Sequence, residues 1–126
     1  MGLFGKMNDS RPAELSISRT YNSHRKGKIM VISGEGEGNI VTVDSLNPVR
    51  VGRSEVTNDL IISAKCISRN HCLIEYNDIN GSFVVTNLST NGVFVNEYRL
   101  PKNVGVVLKP GTVISLSDNE HLLKLV

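Results

Sequence analysis

From residue 28 onward, short apolar runs alternate with turn-forming clusters rich in Gly, Asn and Pro. The runs lie at residues 28–33, 39–43, 49–51, 60–62, 70–76, 82–86, 93–95, 104–108, 112–116 and 121–126. Each is too short for a buried helix, and several alternate apolar with polar residues as half-buried strands do. In 70–76, Cys72, Ile74 and Tyr76 fall on one predicted face and His71, Leu73 and Glu75 on the other. Asn80-Gly81 lies between this run and 82–86, and predicts a tight hairpin in which both residues take positive φ. Asn47-Pro48 and Lys109-Pro110-Gly111 mark further turns. No stretch carries ten or more residues of helical periodicity, so the pattern predicts an all-β domain, either a sandwich or a barrel.

The first 27 residues differ in kind. They are rich in Ser, Asn, Arg and Lys with no sustained period, which predicts a disordered N-terminal tail ahead of one domain at 28–126. The formal net charge of +2 divides unevenly: residues 1–28 hold six basic and two acidic groups, residues 29–126 eight and ten. A basic tail can touch nucleic acid or an acidic membrane, but a slightly acidic body with three Phe, three Tyr and no Trp offers little for base stacking. Nucleic-acid binding is therefore not expected. The same scarcity of aromatics leaves the core to Val, Ile and Leu, which favour strands.

Two cysteines, Cys66 and Cys72, are too few for a disulfide framework or a zinc site. His24 and His121 lack metal-ligand spacing, so no metal or cofactor is expected. Residues 1–10 lack the apolar segment of a signal peptide, and no run approaches membrane-spanning length, so an intracellular protein without membrane contact is expected. The glycines at 34–38 invite comparison with phosphate-cradling loops, but their spacing fails those patterns and Glu35 and Glu37 would repel a phosphate. They read as a strand connection.

The candidate chemistry lies between Val51 and Asn96. Gly52-Arg53-Ser54, Ser68-Arg69-Asn70-His71 and Ser89-Thr90-Asn91-Gly92 each place donors in a turn beside a strand-like run. An arginine fork, hydroxyls and an amide make the inventory of an anion-binding surface. An enzymatic alternative would pair Ser68 with His71 and with Asp59 or Asp78, yet nothing resembles an activated-serine turn.

Gly-Arg at 52–53, Ser-Arg-x-His at 68–71 and Ser-Thr-Asn-Gly-x-Phe-Val-Asn at 89–96, in this order and spacing, resemble a forkhead-associated (FHA) domain over roughly residues 29–126. The resemblance implies a twisted β-sandwich of about eleven short strands with its binding loops at one end. It further implies a non-enzymatic module that reads phosphothreonine in a partner protein, acting in signalling such as the DNA damage response, in nucleus or cytoplasm. By similarity, Arg53, Ser68, Arg69, Thr90 and Asn91 would contact the phosphopeptide, while Gly52, His71, Gly92 and Asn96 would shape the loops. Lys65, Cys66 and Arg69 fall where such domains select the residue three places after the phosphothreonine, which favours an acidic one. Three positions depart from the family pattern: Asn87 for aspartate, Val93 for threonine and Glu97 for glycine. None is an expected phosphate ligand. The alternative is a degenerate domain that binds its partner without phosphate. Thr20, the one threonine of the tail, would if phosphorylated permit self-association.

Overall fold

The computed structural model describes residues 25–126; Thr20 and nearly all of the expected tail lie outside them. Eleven strands follow in order: β1 (Gly27–Ser33), β2 (Ile40–Val43), β3 (Val49–Gly52), β4 (Leu60–Ile61), β5 (Cys72–Asn77), β6 (Ser82–Asn87), β7 (Val93–Val95), β8 (Tyr98–Arg99), β9 (Gly105–Leu108), β10 (Val113–Leu116) and β11 (Leu122–Leu125). They form a sandwich of two sheets, ordered β2-β1-β11-β10-β7-β8 and β4-β3-β5-β6-β9. Every strand pair is antiparallel except β3 with β4. Among the described residues no helix forms, and so none is long and apolar enough to cross a membrane.

The two-residue side-chain period decides which face each sheet buries. From one sheet Ile29, Val31, Ile114, Leu116, Leu123 and Leu125 point inward, and from the other Val49, Val51, Cys72, Ile74, Phe83 and Val85. All are buried, each large aliphatic side chain contributing on the order of 1.5–3 kcal/mol of transfer free energy. Phe83 is the one large aromatic of this core, with Tyr76 edge-on to its ring at 5.1 Å. This frame holds the connections β3–β4, β4–β5, β6–β7 and β10–β11, which are hydrogen-bonded to one another.

Local details differ from expectation in three places. The β5–β6 turn has four residues, with Gly81 but not Asn80 at positive φ. Asn77 closes it instead, its side-chain oxygen accepting Ile79 N–H at 2.9 Å and its carbonyl accepting Gly81 N–H at 2.8 Å. His71 is buried rather than on an outer face, because β5 begins only at Cys72 and the alternation does not extend into the loop before it. The third difference is β8, whose two residues are both exposed and so carry no period to detect.

The β7–β8 turn is a two-residue hairpin, with Phe94 paired to Arg99 and Val95 to Tyr98. Its central residues are Asn96 at φ 48° and Glu97 at φ 71°. Two successive positive φ values match the twist of the flanking strands, and asparagine tolerates that conformation better than glutamate. For Glu97→Gly, relief of about 1–2 kcal/mol of left-handed strain outweighs the ~0.4–1 kcal/mol lost through a freer unfolded chain. Urea unfolding of this variant is expected to show a net gain of about 0.5–1 kcal/mol; a loss would mean that the Glu97 side chain makes a compensating contact.

Candidate functional site

Arg53 leaves the end of β3, directly after the buried Val51-Gly52 pair. A side chain at Gly52 would run into the carbonyl of Arg69 and come within 2.8 Å of the Asn58 amide nitrogen. That close approach lets β3–β4 and β4–β5 zip together: Arg53 N–H bonds Ser68 O at 2.9 Å, Ser54 N–H bonds Arg69 O at 3.2 Å, and His71 N–H bonds Val51 O at 2.7 Å. The Asn58 amide adds bonds to Ser54 O and Arg69 O, at 2.9 and 2.6 Å. Arg53 itself is exposed, with its Nε–H donating to Ile67 O at 2.9 Å. Its two terminal nitrogens have no hydrogen-bond partner among the described residues.

Ser68 meets the β6–β7 loop. Its hydroxyl oxygen accepts Thr90 N–H at 3.2 Å, which leaves the hydroxyl proton to donate elsewhere. Asn91 reaches the same segment, its side-chain amide donating to Cys66 O at 2.9 Å. Thus Arg53, Thr90 and Asn91 all bond to residues 66–68, and Arg69, the next residue, is exposed.

The β6–β7 loop is shaped from inside. Asn87 and Ser89 are both fully buried. Asn87 Oδ1 accepts Ser89 N–H at 2.9 Å and Ser89 O–H at 2.6 Å, and Ser89 Oγ in turn accepts Gly92 N–H at 2.8 Å. The amide at position 87 has a further use, donating to Leu100 O at 3.2 Å. A carboxylate has no proton for that bond. Gly92 sits at φ 106°, and a β-carbon there would lie 2.8 Å from the Phe94 ring. Outside the loop, the β7–β8 hairpin turned by Asn96 carries Arg99, whose guanidinium donates to Thr90 O at 2.7 Å and lies 6.0 Å from the centre of the Phe94 ring.

A family profile described as "FHA domain" matches residues 49–117. The chain belongs to the FHA domain family. It is 30% identical over 97 residues to an FHA domain-containing protein of Arabidopsis thaliana, an alignment that covers 76% of this chain and 25% of that protein. The chain thus spans about a quarter of the length of that relative. Among solved structures it is similar to the FHA domain of the CT664 protein from Chlamydia trachomatis, with a TM-score of 0.70 and 26% identity over 81% of this chain and 97% of that one. It is also similar to the MEK1 FHA domain in complex with a HOP1 phosphothreonine peptide, with a TM-score of 0.66 and 25% identity over 79% and 93%.

The FHA domain is a non-catalytic binding module, and the surroundings of His71 are of a piece with that. Its Nδ1 accepts Ser68 N–H at 3.0 Å and its Nε2–H donates to Gly92 O at 2.8 Å. Both ring nitrogens are thereby used on backbone, with none left to serve the Ser68 hydroxyl as a base. The imidazole ties the Ser68 loop to the Gly92 loop. Sequence reasoning passed over Ser89, Asn58 and Arg99 as parts of this arrangement. Ser89 stood inside the quoted motif, whereas Asn58 and Arg99 lie outside the motifs and act on the backbone carbonyls of Ser54, Arg69 and Thr90, which leave no local signal.

Burial pushes the His71 imidazole below the usual histidine range; its bond to the Gly92 carbonyl opposes this and the charge of His121 adds to it. With the folded value lowered, the unfolded chain takes up the proton first. The contribution of His71 to stability is therefore complete above about pH 6.5 and is lost as pH falls through the folded value. Denaturant unfolding from pH 7 to pH 5 is expected to show declining stability in the wild type. His71→Gln is expected to lower stability at pH 7 and to flatten the decline, whereas an undiminished slope would assign it to other groups.

Proposed function

We propose that this FHA domain binds threonine-phosphorylated peptides through Arg53, Ser68, Arg69, Thr90 and Asn91, and so mediates phosphorylation-dependent protein association. A phosphothreonine presents three acceptor oxygens and close to two negative charges at neutral pH. The observation that carries the reading is the convergence of Arg53, Thr90 and Asn91 on residues 66–68, with the Ser68 hydroxyl proton still free to donate. Anchoring Arg53 through Nε holds its terminal nitrogens for a fork of charge-assisted bonds to phosphate. Asn91 keeps its side-chain oxygen and a second amide proton for the peptide main chain, since one proton serves Cys66. The MEK1 FHA domain, similar in fold, has been solved with a phosphothreonine peptide.

The exposed Lys65 and Arg69 favour an acidic residue three places after the phosphothreonine. A nuclear or cytoplasmic setting, and a role in signalling such as the DNA damage response, belong to the same proposal and rest on the family resemblance. A domain boundary near residue 28, read from composition and periodicity, and self-association through Thr20, the one threonine of the tail, belong to the proposal as well.

Calorimetric titration with degenerate peptide pools tests the reading. Binding of the phosphothreonine pool and not of its unphosphorylated twin is the expected result. Phosphoserine should bind more weakly, by at least the worth of one buried methyl, about 0.8 kcal/mol or roughly fourfold. Equal binding of the unphosphorylated pool, or no binding of the phosphorylated one, would refute the proposal and favour a phosphate-independent contact.

A further inference from the structure

Where the β4–β5 loop faces the β10–β11 turn lies a second cluster, whose side-chain donor atoms the proposed phosphate contacts do not use. Cys66 Sγ is 3.5 Å from Asp118 Oδ2 and 3.9 Å from His121 Nδ1, and His121 Nδ1 is 3.1 Å from Asp118 Oδ1. One donor atom from each residue lies within 4.8 Å of the other two. Zinc takes thiolate at about 2.3 Å and imidazole or carboxylate at about 2.0–2.2 Å in a tetrahedron, which sets donor-to-donor edges of about 3.3–3.6 Å. The two Cys66 Sγ spacings, 3.5 Å to Asp118 Oδ2 and 3.9 Å to His121 Nδ1, lie close to those edges. Sulfur, nitrogen and oxygen are also the donor set that a borderline-soft metal accepts and that magnesium or calcium does not.

We propose that Cys66, Asp118 and His121 form a three-ligand site for a divalent transition metal of the zinc class, with a fourth position open to water or another ligand. The donors are held in place before any metal arrives. Leu116 N–H bonds His121 O at 2.8 Å, Ser33 O–H bonds Glu120 O at 2.9 Å, and Ser117 turns the chain at φ 73°. Gly34 leaves the room the His121 ring occupies, since a β-carbon there would come within 2.8 Å of it. Asp118 Oδ1 accepts Glu120 N–H at 2.9 Å, so Oδ2 can face the metal while Oδ1 stays tethered, the outer bond that orients a ligating carboxylate. His121 is buried and Cys66 and Asp118 are half-buried, which shields the site without closing it.

Binding would release the Cys66 thiol proton to solvent and bring His121 into the tautomer protonated on Nε2, with Nδ1 on the metal. Three protein–metal bonds would then replace the weak contacts that now join the two loops. Because Cys66 O holds the Asn91 amide, a metal here would brace the backbone beneath Asn91. The site itself does not depend on phosphopeptide binding.

Cobalt(II) titrated into the full chain, followed by absorption, tests the site. A 1:1 complex with thiolate-to-cobalt charge-transfer absorption, displaced by zinc, is expected. Cys66→Ser should abolish that absorption, and Asp118→Asn and His121→Asn should each weaken cobalt affinity at least about tenfold. Zinc should raise the melting temperature of the wild type and not of Cys66→Ser, whose fold is checked by circular dichroism. His24→Asn and Arg53→Ala should leave the absorption unchanged, which separates this site from the tail histidine and from the phosphopeptide reading. Absence of the charge-transfer absorption, its survival in Cys66→Ser, or its loss in His24→Asn would overturn the proposal.

Discussion

Arg53→Ala is expected to lower affinity for a phosphothreonine peptide by about 10- to 100-fold, the equivalent of the ~1.5–3 kcal/mol carried by hydrogen bonds to a charged group. The fold should be little affected, because Arg53 is exposed and its one side-chain bond within the described residues is to Ile67 O. Arg53→Lys should recover part of the loss, since it restores the charge but not the planar fork or the Nε anchor. Wild-type binding should also weaken as salt rises, and more steeply than that of Arg53→Ala, because the variant has one fewer charge for ions to screen. Calorimetry at two salt concentrations measures all three effects. An Arg53→Ala variant within about twofold of wild type would remove Arg53 from the site, since a lost charge-assisted bond costs more than that.

Gly52→Ala is expected to be the most damaging of the single-methyl changes. Its new carbon would overlap the Arg69 carbonyl, a backbone group already engaged by Ser54 N–H and the Asn58 amide. Backbone cannot swing aside as the end of a side chain can, so either β3 or the β4–β5 loop must move. Overpacking of this kind costs about 1–3 kcal/mol and occasionally more, and loss of the zipped bonds puts the expected effect at the upper end. At roughly 4–8 °C per kcal/mol for a domain of this size, melting should fall by about 10–20 °C. Because the shifted loop carries Ser68, peptide binding should weaken together with stability. A variant that melts within about 2 °C of wild type would show that the loop yields at little cost, against the expectation for a backbone clash.

Most of the strand positions were legible in the sequence because a strand inside a sandwich has one buried face, and the two-residue period records it. Val49, Val51, Ile74, Val85, Ile114 and Leu123 are all inward where alternation places them. The period fails where a strand is too short or too exposed to have a buried face, as in β8. It fails also just outside a strand, as at His71, where burial comes from loops folding over the side chain rather than from the pleat. The Asn80-Gly81 pair located a turn, but its length was decided by Asn77, whose side chain offered local acceptors that a shorter turn would not have used.

The family motifs were legible for another reason. Gly52-Arg53, Ser68 to His71 and Ser89 to Asn96 carry the residue types of the FHA pattern in a fixed order. What the sequence determined by itself was therefore the fold class, the family and the residue types carried by the three loops. Which of those residues meet was decided by tertiary structure: the Arg53 Nε on Ile67 O, Thr90 on the Ser68 hydroxyl, Asn91 on Cys66 O and Arg99 on Thr90 O. These bonds join separate loops and strands, 9 to 25 residues apart, and most end on backbone carbonyls, which every residue possesses and no sequence pattern marks. The Cys66, Asp118 and His121 cluster is the extreme case, because Cys66 lies 52 residues from Asp118 and only the stacking of two sheets brings the β4–β5 and β10–β11 loops together.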